Sequence, residues 1–131
     1  MTERGARSAI AKSNAAIAVK FLAAAFDDGD IQAARTYLSD TFTHHEPGVA
    51  KGATAFTAHI AKAIQSQPNS PVEPVRFIVD GDFVVVHCRR SSGIEEIATI
   101  DIFRIENEKI TEFWHVFQPV PKSMANPNGM F

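Results

Sequence analysis

Asp101 stands in the centre of the run "IATIDIFRI", an acid with isoleucines on both sides. Acids are depleted in strands and rarely fully buried, so solubility alone does not account for a carboxyl in this place. Alternation along a strand puts Ile97, Thr99, Asp101 and Phe103 on one face. Under a layer of helices, desolvation would raise the pKa of Asp101 and leave an acid able to donate a hydrogen bond or a proton near neutral pH. On an outer face the same side chain would pair with a lysine or arginine, and the pattern leaves both readings open. The run "KITEFWHVF" supplies a second group. Alternation sets Thr111, Phe113, His115 and Phe117 on one face, and Ile110, Glu112, Trp114 and Val116 on the other. Aromatics beside a histidine make a pocket wall or an ordinary core; Phe113, Trp114 and Phe117 are candidate substrate contacts, with Thr99 next to the acid. His87, after "FVVV", is a further candidate whose facing depends on the "SSG" turn, because a one-residue slip reverses it.

The stretch "FTHHEPG", Phe42 to Gly48, adds two histidines and a glutamate. Helical zinc motifs need histidines four apart, and sheet sites offer them two apart so that both point inward. Adjacent His44 and His45 point to opposite faces of a strand, so a metal would need one of them to join His87 and His115. Pro47 pushes Glu46 into extended geometry and ends backbone pairing there. That holds Glu46 at the lip of the sheet within reach of a substrate, with His45 as its companion and Phe42 as an apolar contact.

These groups need elements to position them. Ile10, Asn14, Ile17, Phe21 and Ala24 recur at helical spacing and predict a first helix from about Ser8 to Phe26. In "DDGD", Gly29 suits a helix C-cap and Asp30 an N-cap for a second helix, Ile31 to Leu38. Gly52 opens a third, Ala53 to Gln65, with Phe56, Ile60, Ala63 and Ile64 on one side and His59 at the border. After the proline-rich loop "SQPNSPVEP" the period changes to two. "VRFIVDGDFVVVHCRR" reads as a hairpin around Asp80 and Gly81; "IEEIATIDIFRI" and "KITEFWHVF" follow, the first after "SSG" and the second across "ENE". Three helices followed by about four long strands predict an α+β fold, with the helices packed on one face of a strongly curved, mostly antiparallel sheet.

A length of 131 residues, 45% of them hydrophobic and 21% charged, fits one globular domain over residues 1–131. The net charge is -2 and the only basic pair is Arg89 and Arg90, which argues against nucleic acid as a partner. The single cysteine, Cys88, cannot form an intrachain disulfide; in its apolar run it reads as a buried structural thiol, and a cytoplasmic setting is expected. Arg4, Arg7 and Lys12 before an Ala-rich stretch imitate a signal peptide, but Lys20 interrupts the apolar part and the segment reads as a helix. No window approaches the roughly 18 uninterrupted apolar residues of a membrane span, so no membrane is expected.

The order of elements, the segment "TIDIFRIENEKITEFWHVFQPVP" and the tail "NPNGMF" resemble the SnoaL-like proteins of the nuclear transport factor 2-like superfamily. The resemblance covers most of the chain and implies a cone-shaped fold whose mouth holds a small-molecule pocket, usually in a dimer. It also implies a range of chemistry: aldol-type polyketide cyclisation, ketosteroid isomerisation, dehydration and epoxide hydrolysis. Fold does not choose among these. By this resemblance Asp101 falls where cyclases and isomerases keep a pocket acid in "IDxFR", and Phe113, His115 and Phe117 fall on pocket-lining positions. His45 matches the histidine of the family's "QHNP"; Glu46 replaces its asparagine, yet stands directly before proline, where the isomerases place their carboxylate base. Leu22 takes the place of the isomerases' oxyanion-donating tyrosine, counted from Gly29 and Asp30, so an apolar contact replaces a donor and steroid isomerisation is not expected. The family's "HWD" reads "FWH" here, and the glycine of its "ENGK" turn is Glu108.

The functional expectation is a cofactor-free acid/base enzyme acting beside a carbonyl, as an aldol-type cyclase, isomerase or lyase. Glu46 or His45 takes a proton from the carbon next to the carbonyl, neutral Asp101 stabilises the enolate oxygen, and His115 orients the substrate or completes the relay. The expected ligand is a small hydrophobic or aromatic carbonyl compound. Met130 and Phe131 form an apolar end suited to a neighbouring subunit or to the pocket mouth, and a homodimer is predicted. Two competing readings are a non-catalytic binding protein and a metal enzyme using His44 or His45 with His87 and His115.

Overall fold

Thr2 opens the first helix: its hydroxyl accepts from the Gly5 N–H at 3.0 Å, and α1 runs over Glu3–Leu22. The helix continues as a π-helical turn, Ala23–Asp27, which ends with the Asp27 carboxylate accepting from the Val72 N–H at 3.1 Å. That bond ties the end of the helical layer to the start of the sheet. The computed structural model describes residues 2–91 and 95–131. α1 starts earlier than the periodicity predicts, and Ile10, expected on its apolar face, is 55% exposed, since the buried residues of the helix begin only at Asn14. By length and composition the helical segment Glu3–Asp27 is long and apolar enough to cross a membrane; in this fold its Ile17, Ala18, Phe21 and Leu22 are packed into the core.

Asp30 caps α2, Ile31–Arg35, by accepting from the Ala33 N–H at 3.0 Å. The second helix is shorter than predicted, and its expected last residue, Leu38, instead begins a strand, β1, Leu38–His44. In β1 only Leu38 and Phe42 are buried, four residues apart among polar neighbours, a spacing that suits a helix as well as a strand. α3, Ala53–Ser66, follows as expected from Gly52.

The remaining strands are β2 (Val72–Asp80), β3 (Phe83–Ser91), β4 (Glu96–Glu106) and β5 (Lys109–Pro119). The sheet has five strands in the order β1-β5-β4-β3-β2, with β1 parallel to β5 and the other pairs antiparallel. The β2–β3 hairpin forms at the predicted turn, where Gly81 has φ 58°. The expected "SSG" turn falls largely on residues 92–94, outside the described residues, but the flanking register is fixed with Ser91 opposite Glu96 and Val86 opposite Asp101. The helices cover one face of the sheet, where Phe21, Phe56, Phe103 and Phe113 meet with ring centroids 5.1 to 6.5 Å apart.

The β4–β5 turn places Asn107 at φ 50° and Glu108 at φ 65°. Asparagine tolerates this left-handed region; a glutamate there costs about 1–2 kcal/mol, against about 0.5–1 kcal/mol for the extra chain entropy a glycine must lose. Glu108→Gly is therefore expected to stabilise the protein by about 0.5–1 kcal/mol, seen as a higher urea midpoint. A midpoint unchanged or lowered would show that the turn carries no such strain.

Candidate active site

The pairing of β4 with β5 starts with Glu106 opposite Lys109 and Ile105 opposite Ile110, then slips by one residue so that Arg104 faces Glu112 and Asp101 faces His115. Thr111 is the extra residue of this β-bulge, and its hydroxyl donates to the Arg104 carbonyl at 3.2 Å. Without the bulge, Asp101 would lie opposite Trp114 and His115 would point away from it. The same slip turns Ile110 inward, fully buried with Phe113, where uninterrupted alternation predicts opposite faces.

The His115 Nδ1–H donates to Asp101 Oδ1. Asp101 is 4% exposed. Burial pushes its carboxyl above the usual range, while the hydrogen bond and charge of His115 and the charge of Arg90 pull it back. For His115, burial works against the imidazolium, but the hydrogen bond to Asp101 and the charges of Asp101 and Glu46 outweigh it and hold the ring above the usual histidine range. Both shifts favour proton uptake, so each group of the pair keeps a proton to higher pH than it would in water. This changes the expected geometry: the Asp101 carboxyl is engaged by His115, and Nε2 of that ring, without a partner among the described residues, is the atom left for a substrate.

A cavity of about 590 Å³ opens between the helices and the inner face of the sheet. Glu46, Thr99, Asp101 and His115 line it together with Phe113 and Phe117, so these six of the expected residues come together. Glu46 is held there by its own turn. His44 Nε2–H donates to the Ala50 carbonyl at 2.8 Å, and His44 Nδ1 accepts from the Glu46 N–H at 3.1 Å. The His44 ring also stacks on Phe56 at 5.2 Å, which anchors the turn to α3. His44 thus works as a backbone clamp at the lip.

The other expected contacts lie elsewhere. β1 pairs with β5 so that His44 faces inward beside Phe113, which turns the adjacent His45 to the outer side. There the His45 ring lies parallel to Trp114 at 4.9 Å, with Nε2 2.6 Å from Glu112 Oε2. His45 and Trp114 are therefore outside the cavity. His87 pairs with Ile100, one position off Asp101, and its ring meets Arg76 and Phe131 on the outer face. The segment ending at Phe131 accordingly lies on the outer face of the chain's own sheet, and not over the cavity mouth. Leu22 and Phe42 are buried in the core and do not border the cavity. Among the described residues no three His, Cys, Asp or Glu side chains gather as metal ligands, because these placements separate His44, His45, His87 and His115. Cys88 is fully buried; burial, then the charge of Asp101, push its thiol up to about 12, an inert group at neutral pH.

Arg90 is the cavity residue that the sequence reading passed over. The signal was present: Val84, Val86 and Cys88 alternate with it along β3 and are all buried. Phe26 also lines the cavity, and His59 stands at its exposed rim.

Residues 18–113 match the model of the SnoaL-like domain. The chain belongs to the SnoaL-like family. The solved structures that resemble this SnoaL-like protein include a candidate ketosteroid isomerase from Kribbella flavida, 14% identical, with a TM-score of 0.70 over 91% of this chain and 85% of that one. A candidate polyketide cyclase from Sinorhizobium meliloti is 19% identical, with a TM-score of 0.66 over 76% of this chain and 93% of that one. An epoxide hydrolase from M. tuberculosis is 17% identical, with a TM-score of 0.65 over 82% of this chain and 84% of that one. No curated protein matches the sequence. At these identities the likeness establishes the fold, and the reaction must be argued from the site.

Proposed function

We propose that this SnoaL-like protein moves protons beside a carbonyl without a cofactor, as an isomerase, aldol-type cyclase or lyase for a small hydrophobic or aromatic carbonyl compound. The observation that carries this reading is the buried Asp101–His115 pair in a cavity that Glu46 also lines. The Glu46 carboxylate removes a proton from the carbon next to the carbonyl. The electron pair left behind moves to the oxygen, where His115 Nε2–H donates a hydrogen bond and then the proton, giving the enol. Asp101 stabilises the imidazolium before that transfer and keeps Nδ1 protonated, so Nε2 remains directed at the substrate. From the enol, Glu46 returns its proton at a different carbon in an isomerisation while the enol O–H proton goes back to His115 Nε2, which restores the carbonyl. In an aldol closure the same carbon attacks a second carbonyl, whose oxygen takes the proton held by Glu46 as the enol O–H proton returns to His115.

The division of roles between Glu46 and His115 follows from their settings. The imidazole is biased toward its charged form by Asp101, which makes it a donor, and a donor already aligned with the developing oxyanion contributes about 3 kcal/mol. Phe113 and Phe26 give the cavity apolar walls that limit competing water. The half-reaction can be tested without knowing the natural substrate. An enolisable aryl ketone such as tetralone, incubated with the protein in deuterated water and followed by proton NMR, is expected to lose its α-proton signals faster than in buffer. A ketone that binds, by line broadening, yet exchanges no faster than in buffer would overturn the catalytic reading in favour of a binding protein.

A further inference from the structure

We propose that Arg90 anchors a carboxylate, and that the substrates of this site are apolar monocarboxylic acids whose reacting carbonyl is a separate group from the acid. The second half of this statement rests on the acid/base reading above; the anchor itself does not.

Arg90 lines an otherwise apolar part of the cavity wall, with Ile97 opposite it on β4 and Phe26 beneath its guanidinium at 4.8 Å. Its Nε–H donates to Ser70 Oγ at 3.0 Å, and Ser70 is itself buried. The serine and the aromatic face together fix the plane of the fork. They occupy one of its five N–H donors, and the terminal nitrogens have no hydrogen-bond partner among the described residues. The other arginines with ion pairs, Arg7, Arg89 and Arg104, each meet a glutamate, whereas among the described residues no carboxylate lies within ion-pair distance of Arg90. Asp101 is near enough to be felt electrostatically, but its carboxyl is bonded to His115. Packing does not call for a half-buried guanidinium, since a charge removed from water without a partner is unfavourable. A planar, oriented fork with unused donors matches a carboxylate.

A single planar fork in a cavity that Glu46 also lines suits one carboxylate, which brings in less negative charge than a phosphate dianion would. Distance orders the two ends. Asp101 lies four residues along β4 from the position opposite Arg90, about 13 Å of strand, part of which the long arginine side chain spans. The acid group and the reacting carbonyl are therefore bound at two separate points of the cavity, Arg90 and His115.

Isothermal calorimetry with naphthoate and its neutral isostere naphthamide tests the anchor without turnover. The wild-type protein is expected to bind naphthoate about tenfold more tightly or better, since a charge-assisted pair is lost in the amide. Arg90→Gln is expected to bring the two affinities together, and Glu46→Gln to keep naphthoate favoured. Equal affinities in the wild type, a comparison that needs no variant to fold, would overturn the anchor, as would a preference that survives in folded Arg90→Gln. Accelerated ketone exchange with equal affinities would leave the acid/base reading standing and remove Arg90. Naphthoate preference with no exchange would do the reverse.

Discussion

Glu46→Gln is expected to slow α-proton exchange of a bound ketone by about a hundred- to ten-thousandfold, the range that a positioned proton acceptor supplies. Glutamine keeps the shape of the side chain and removes only its capacity to take a proton. It also leaves the turn intact, because the bonds that hold residue 46 use its backbone: its N–H donates to His44 Nδ1, and its carbonyl accepts from the Val49 N–H at 3.2 Å. A thermal midpoint close to that of the wild type, together with lost exchange, would assign the effect to chemistry. A loss of less than about tenfold, below what general base catalysis supplies, would mean that Glu46 is not the base. His44 provides the internal contrast. Replacing it would free the turn without removing the carboxylate, so its effect should fall on substrate affinity and rate together.

How much of this site could be read from sequence depends on which contacts are local. The inward facing of Asp101, Thr99, Phe113, His115 and Phe117 follows from alternation within single strands, and all five line the cavity. That Asp101 and His115 touch does not follow, because it depends on Thr111 being unpaired in the bulge. The strand that presents the "FTHHEPG" lip was hidden for a related reason. β1 buries Leu38 and Phe42 only, and what makes it a strand is its parallel pairing with β5, about seventy residues further along the chain. The same non-local pairing decides which of His44 and His45 faces inward. His87 was undetermined until the β3–β4 register was fixed, and it then fell on the outer face. Arg90 was legible by alternation with Val84, Val86 and Cys88, but a charged residue beside another, Arg89, reads first as surface. The inward-facing residues read from sequence are those whose environment is set by their own strand, whereas the facing of His44, His45 and His87 is set by a partner strand.

Asp101→Asn should separate activity from stability. In the wild type the Asp101 charge holds the His115 imidazolium against its burial, so exchange should persist to a pH above the ordinary histidine value of about 6.5 before it declines. With asparagine the charge is gone while the burial remains, and the alkaline limb of the pH–rate profile should move to lower pH. At neutral pH the ring would then be mostly uncharged, and exchange should fall by about a hundredfold or more. Stability should change in the opposite sense. Asp101 and His115 both bind protons more tightly in the folded chain than in the unfolded one. Their contribution is therefore fully present below the unfolded-state values and is lost as pH rises through the folded-state values. Above that window the wild type buries a carboxylate facing a neutral imidazole, a burden that asparagine does not carry. Thermal unfolding across pH should show the wild-type midpoint falling on the alkaline side and the Asp101→Asn midpoint falling less. An alkaline limb that stays in place in Asp101→Asn would break the link between the two residues and move the proton donor away from His115.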